Sequence, residues 1–352
     1  MTSPERARGP ARSRRVVPLA VARVRRPIRM TAPLALAALA LALPAVAAAH
    51  GIGAPPVVDP IAIALDWTFD PVPIAGIVGG AIVYALLLRS RPGAQRRPWP
   101  RLRTASFMGG LAFLALALLS PIDSLSDSLA TVHMAQHMLL MLAAPPLLAA
   151  GAPMTLLLRA ASPRVRARVL LPILHSRVMA ALTHPVVAWS AFAGVLWATH
   201  YSGIYDAALL DPTVHALEHT AYLVAACLFW WPVFSPDPQR WRMSTPVKLV
   251  YVLLQMPQMS FLAVTIMGAP RLLYEAYLGR SLPYGVDPVA DQQASGALMW
   301  VAGDMMFIAI MGLLVYRWMR ESEEAAARTD AREDRLVEQR LAAVLDKRPE
   351  PR

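Results

Sequence analysis

The chain has 352 residues, of which 56% are hydrophobic and 16% charged, with a mean hydropathy of +0.44. Soluble domains carry about a quarter charged residues, so this composition excludes a typical cytosolic enzyme and makes lipid the solvent for much of the surface. The net charge of +11 is no nucleic-acid signal, because residues 1–30 alone hold nine arginines against one glutamate. A single cysteine, Cys227, excludes an intrachain disulfide, a Cys-x-x-Cys pair and a thiolate-rich metal site. It reads as a small buried hydrophobe.

Residues 1–49 form a basic leader followed by an apolar run from Ala32 to Ala48, with small residues at Ala47-Ala48-Ala49. This is the pattern of a signal peptide or an uncleaved anchor, with Met30 as an alternative start. An outer segment, 50–71, follows. Seven apolar stretches are then each long enough to cross a ~30 Å hydrocarbon core at 1.5 Å per residue. They lie near 72–88, 105–120, 128–150, 185–200, 212–233, 246–268 and 293–318. The fold class is therefore an all-α polytopic bundle, with a transmembrane domain over 72–319 and a charged tail over 320–352. That tail holds eight basic and nine acidic residues in an Ala-rich setting, which makes it a solvated helix-prone arm. Gly76 and Gly80 form a small-xxx-small pair expected to support close helix packing. Pro145-Pro146 should break or kink the third span, and Leu156 to Leu174, apolar residues interleaved with arginines, reads as lying along the inner membrane surface.

Orientation follows from the arginines. Six lie between Arg89 and Arg103, five between Arg159 and Arg177, and three basic residues between Arg240 and Lys248. The alternate loops, 120–127 and 201–211, have acidic residues and no Lys or Arg, and 269–291 has only Arg271 and Arg280. The positive-inside rule places the basic loops in the cytoplasm, the N-terminus outside and the C-terminus inside a bacterial plasma membrane.

With that orientation, five of the eight histidines fall toward the outer face. These are His133 and His137 on the third span, His200 ending the fourth, and His215 and His219 on the fifth. Pairs four apart share a helical face, so each pair presents two imidazoles in one direction. Imidazole is a common transition-metal ligand, and five at one depth point to a metal site rather than to interhelical hydrogen bonds alone. Glu218, lying inside the second pair, would orient the imidazoles rather than bind the ion itself. The neighbouring thioethers Met134, Met138 and Met299 suit Cu(I), but thioethers also fill apolar gaps, as Met256 and Met259 would beside Gln255 and Gln258. Asp304, deeper in the last span, reads equally as an interhelical acid or a proton or ion site. His175 and His184 fall on the opposite side and receive no role. His50, if it becomes the new N-terminus, offers a second copper ligand. Copper is the expected metal, with zinc as its rival and haem as a further alternative.

Several runs resemble one family. They are His133-Met134-Ala135-Gln136-His137-Met138-Leu139-Leu140, Ala144-Pro145-Pro146-Leu147-Leu148 and Gly151-Ala152-Pro153. Trp197, His200 and Tyr205, then His215-Ala216-Leu217-Glu218-His219 with Phe229-Trp230-Trp231-Pro232, and Asp291-Gln292 with Gly296, Met299 and Trp300 extend the likeness, as do Trp67, Asp70 and Tyr84 upstream. Over about residues 60–320 the chain resembles the multi-span CtaG family of caa-type cytochrome c oxidase assembly factors. That resemblance implies a plasma-membrane protein needed for maturing a haem-copper oxidase through copper, with oxidase subunits as partners and Asp291 as a further residue supporting the metal's ligands. Two other classes compete. His215-x-x-Glu218-His219 matches an inverted zinc-protease pattern, and histidines at equal depth could be axial ligands of an integral haem protein.

Overall fold

A computed structural model describes residues 58–90 and 98–346. The leader, its cleavage site and His50 lie outside the described residues. Among the described residues the chain is all helix, with no strand. The helices are α1 (Pro60–Leu65), α2 (Pro71–Arg89), α3 (Arg101–Leu119), α4 (Pro121–Ser126) and α5 (Ala130–Met138). They continue as α6 (Ala144–Ala150), α7 (Pro153–Ala160), short turns over 163–182, α8 (Pro185–Tyr201), α9 (Ile204–Leu210) and α10 (Pro212–Phe234). The chain then forms α11 (Thr245–Leu253), α12 (Gln255–Met267) and α13 (Pro288–Asp346).

Proline starts many of these helices. Asp70-Pro71, Ser120-Pro121, His184-Pro185 and Asp211-Pro212 each pair a side chain that accepts a first-turn N–H with a residue that has no N–H to lose. The helix starts are therefore written locally, and packing has only to arrange the rods.

Among the described residues, five helices are long and apolar enough to cross a membrane: Pro71–Arg89, Arg101–Leu119, Ala130–Ala160, Thr245–Met267 and Pro288–Gln339. This differs from the seven expected. The helix α8 has only 17 residues, and α10, although 23 residues long, has His215, Glu218 and His219 in its first half. Both are nevertheless packed into the bundle. The helix α10 packs against α8 on one side and α6 on the other, while α13 packs against α5 and α12. Where α12 and α13 meet, a Cβ on Gly296 would lie 2.5 Å from the Met267 amide nitrogen, so only glycine permits the contact. Gly76 and Gly80 do not play that role: Gly76 has open space around it and Gly80 faces Leu111 at ordinary contact distance.

The third span is neither broken nor simply kinked at Pro145. A π-turn over Leu139–Ala143 joins α5 to α6, because Pro145 has no N–H to give the Met141 carbonyl. That carbonyl instead accepts the indole N–H of the buried Trp230 at 2.8 Å. The span then runs on through α7, where Leu156 and Ala160 are buried against Tyr84, Leu87 and Trp99. The start of the Leu156–Leu174 segment thus packs inside the protein, and only its later, arginine-bearing part is exposed. Cys227 is half-buried rather than enclosed. The tail continues α13 without interruption, and its residues 320–339 are all exposed.

The two ends of the bundle are tied by different bonds. At one end the Asp237 carboxylate accepts the first amides of α7 and the Tyr84 hydroxyl donates to the Gly151 carbonyl. At the other, the 269–287 segment crosses the helix ends, with Arg280 donating to the carbonyls of Asp127 and Leu209 and Asp206 accepting the Ala276 amide. The histidines sit beneath that segment.

Candidate metal centre

His133 and His137, one turn apart on α5, are fully buried, and their ring centroids lie 4.3 Å apart. The α10 pair, His215 and His219, is 4.1 Å apart. The two pairs face each other, with His133 at 5.4 Å from His215 and His137 at 5.5 Å from His219. The ligand atoms of His133, His215 and His219 lie within 4.8 Å of one another, as do those of His133, His137 and Glu218. His200 stands to the side, its ring meeting Tyr205 at 5.5 Å and Tyr222 at 6.5 Å, and it joins neither group. Four of the five expected histidines are thus gathered with Glu218.

What these side chains lack is informative. The Nε2 atoms of all five histidines are buried without a hydrogen-bond partner, and so are Nδ1 of His137 and both oxygens of Glu218. Buried polar atoms almost always have partners, and each orphan costs about 1–3 kcal/mol. So many at one place form a donor set with unspent lone pairs, which is the chemistry of a metal centre.

Neighbouring groups orient two of the rings. The Tyr277 hydroxyl donates to the Ser126 carbonyl at 2.9 Å and lies 2.8 Å from Nδ1 of His133. Its only proton being spent on Ser126, the phenol must accept from His133 Nδ1–H, which leaves the lone pair on Nε2. Burial pushes the Tyr277 phenol well above its ordinary range, so it keeps that proton. His200 is set the same way, because its Nδ1 lies 2.8 Å from the Leu196 carbonyl, which can only accept. Both rings therefore present Nε2 as a ligand.

Asp291 acts on the backbone instead of on an imidazole. Its carboxylate accepts the amides of Ala130 and Thr131 at 2.6 and 3.2 Å and the Thr131 hydroxyl at 2.6 Å, capping the helix that carries His133. Gln136, between the two α5 histidines, donates to the Ala117 carbonyl and to Asp123, so it anchors α5 to α3 and α4. Met134, Met138 and Met299 are buried in the main apolar core, where they fill space. Asp304 accepts from the Ser260 hydroxyl at 2.9 and 3.0 Å, an interhelical bond between α13 and α12. His184 caps α8 and stacks edge-on against Trp241, and His175 is exposed, both far along the chain from the cluster's helices.

Sequence reasoning missed Tyr277 and Tyr222, and noted Tyr205 only within the family likeness. Tyr277 orients His133, Tyr222 lies 4.5 Å from His137, and Tyr205 is stacked between His133, at 4.9 Å, and Tyr274, at 4.1 Å. The available signal was Tyr274, Tyr277 and Tyr284 in one short loop, but nothing local to that loop names its histidine.

The profile of the cytochrome c oxidase caa3 assembly factor family matches residues 82–321, more than half of the chain, and those residues include the whole histidine cluster. The chain belongs to that family. An uncharacterized protein of Mycobacterium bovis is 28% identical over 279 residues, covering 76% of this chain and 42% of its own length. One from Mycobacterium leprae is 27% identical over 276 residues, with the same coverage of each chain. The chain therefore spans less than half the length of these curated relatives. No solved structure gives a significant match.

Proposed function

We propose that this family member serves the maturation of a haem-copper oxidase by binding copper in the histidine cluster and releasing it toward an oxidase subunit. The observation that carries this reading is the set of partnerless Nε2 atoms and carboxylate oxygens buried together in a chain of this family. With no thiolate among these donors, the centre holds Cu(I) less tightly than a cysteine site, which suits release. Zinc is the rival, since imidazole and carboxylate hold it equally naturally. Haem fits less well: a porphyrin needs a flat slot between its axial ligands, whereas these rings pack directly on one another at 4.1–5.5 Å. The zinc-protease reading needs Glu218 beside an ion held by His215 and His219, whereas Glu218 groups with His133 and His137. We read the chain as a binding protein without turnover chemistry.

In this reading α8 and α10 also cross the bilayer, completing seven spans in a bacterial plasma membrane. The arginine-rich loops face the cytoplasm, so the histidine end and its covering segment face outward. Protein purified from copper-replete cells is expected to carry about one copper per chain, lost when His133 and His137 are both replaced by alanine. In membranes, His137→Ala should lower oxidase activity at unchanged protein level. Equal copper in wild type and double variant, or normal oxidase in the single variant, sinks the proposal.

A further inference from the structure

We propose that Glu218 is itself a metal ligand, and that it creates with His133 and His137 a second position for the same single ion, one that selects divalent metal. This rests on the reading of the cluster as a metal centre and adds which donors take which ion.

Glu218 is 3% exposed, and its oxygens have no hydrogen bond of normal geometry, the Tyr222 hydroxyl being the one donor that approaches them. A carboxylate in that state is costly in a low-dielectric interior unless a proton or a cation neutralises it, and a metal ion held by the adjacent imidazoles would displace the proton. Arginine and lysine are absent from its surroundings in α5 and α10, whose only basic side chains are histidines. Its position on α10 explains the geometry. Three residues after His215 and one before His219, it lies on a helix face adjacent to theirs rather than on the same one. That rotation takes it toward α5, where it joins His133 and His137.

Two three-donor groups result. One is all imidazole: His133, His215 and His219. The other, His133, His137 and Glu218, is mixed nitrogen and oxygen. They share His133, whose Nδ1–H is committed to Tyr277 and which has only one lone pair to give. The groups therefore cannot both be filled, and the chain holds one ion. A neutral three-imidazole set suits the soft, singly charged Cu(I), whereas an anionic oxygen raises affinity for harder divalent ions such as Zn(II) or Cu(II).

The test uses the purified chain in detergent, titrated with Cu(I) under anaerobic chelator competition and separately with Zn(II). Glu218→Gln keeps the shape and removes the charge. It is expected to weaken Zn(II) binding at least tenfold and to change Cu(I) binding by less than threefold, while His215→Ala weakens Cu(I) more than Zn(II). Independently of any variant, difference infrared spectra of the wild type should show a carboxylate stretch shifting on Zn(II) addition but not on Cu(I) addition. Equal losses for both ions in Glu218→Gln, no shift of that stretch, or two ions bound per chain overturns this inference while leaving the metal centre standing. Failure of the wild type to bind either ion overturns both.

Discussion

Tyr277 determines which nitrogen of His133 carries the proton, and so which one faces the cluster. Outer partners of metal-binding histidines are typically worth 10- to 100-fold in affinity. Tyr277→Phe removes the phenol that takes the His133 proton, so Zn(II) and Cu(I) affinity are expected to fall about tenfold in chelator competition, with the helical signal unchanged. Unaltered affinity would return Tyr277 to a packing role. The histidines themselves were readable, because their 133/137 and 215/219 spacing places each pair on one face. Glu218 joins His133 and His137, a grouping that its place within the second pair did not say. The difference is a matter of rotation: residue spacing says that it lies beside the histidines, but only the position of α5 decides what it points at.

At the scale of elements, the centre depends on how α5 and α10 are held. Asp291 reaches from α13 to cap α5, and Asp291→Ala leaves one buried and one half-buried amide without this acceptor. A loss of about 1–2 kcal/mol is expected, read as a lowered unfolding temperature. Trp230 supplies the hydrogen bond that Pro145 removes from the Met141 carbonyl, so Trp230→Phe should cost at least ~2 kcal/mol while leaving metal stoichiometry unchanged. Loss of metal without loss of stability would reverse that assignment. At the start of α10, Asp211 accepts the amides of Thr213 and Val214, which hold its carboxyl below the usual carboxylate range. A depressed value means that the cap's contribution is present at neutral pH and fades only as pH falls through that lowered value. Asp211→Asn, which keeps the acceptor without the titration, should flatten the acid limb of the stability curve.

The whole molecule has two unlike ends. One is arginine-rich and tied by Asp237 and Tyr84. The other is arginine-poor and closed by the 269–287 segment over the histidines. Single cysteines introduced in a Cys227→Ser background should therefore label from the cytoplasm at Arg168 and from outside at Ser202 and Leu278, all three of them exposed. Labelling of Ser202 from the cytoplasm would invert the bundle and with it the proposed direction of release.

Composition, the apolar stretches and the four-residue histidine spacing, all properties of neighbouring residues, sufficed for the membrane character, the approximate helix positions and the histidine pairing. The apolar stretches put α8 and α10 among the spans, although among the described residues five other helices are long and apolar enough by their own residues. A polar face turned toward neighbouring helices lowers the hydropathy of a segment without moving it to the surface. The tertiary structure alone decided that Gly296 rather than Gly76 marks the closest helix contact, that Asp291 serves a backbone, and that Asp304 has Ser260. It also decided that Tyr277, 144 residues from His133, sets that ring's proton. Hydrogen bonds between distant segments leave no periodicity in the chain, because each partner's position depends on how separate helices pack.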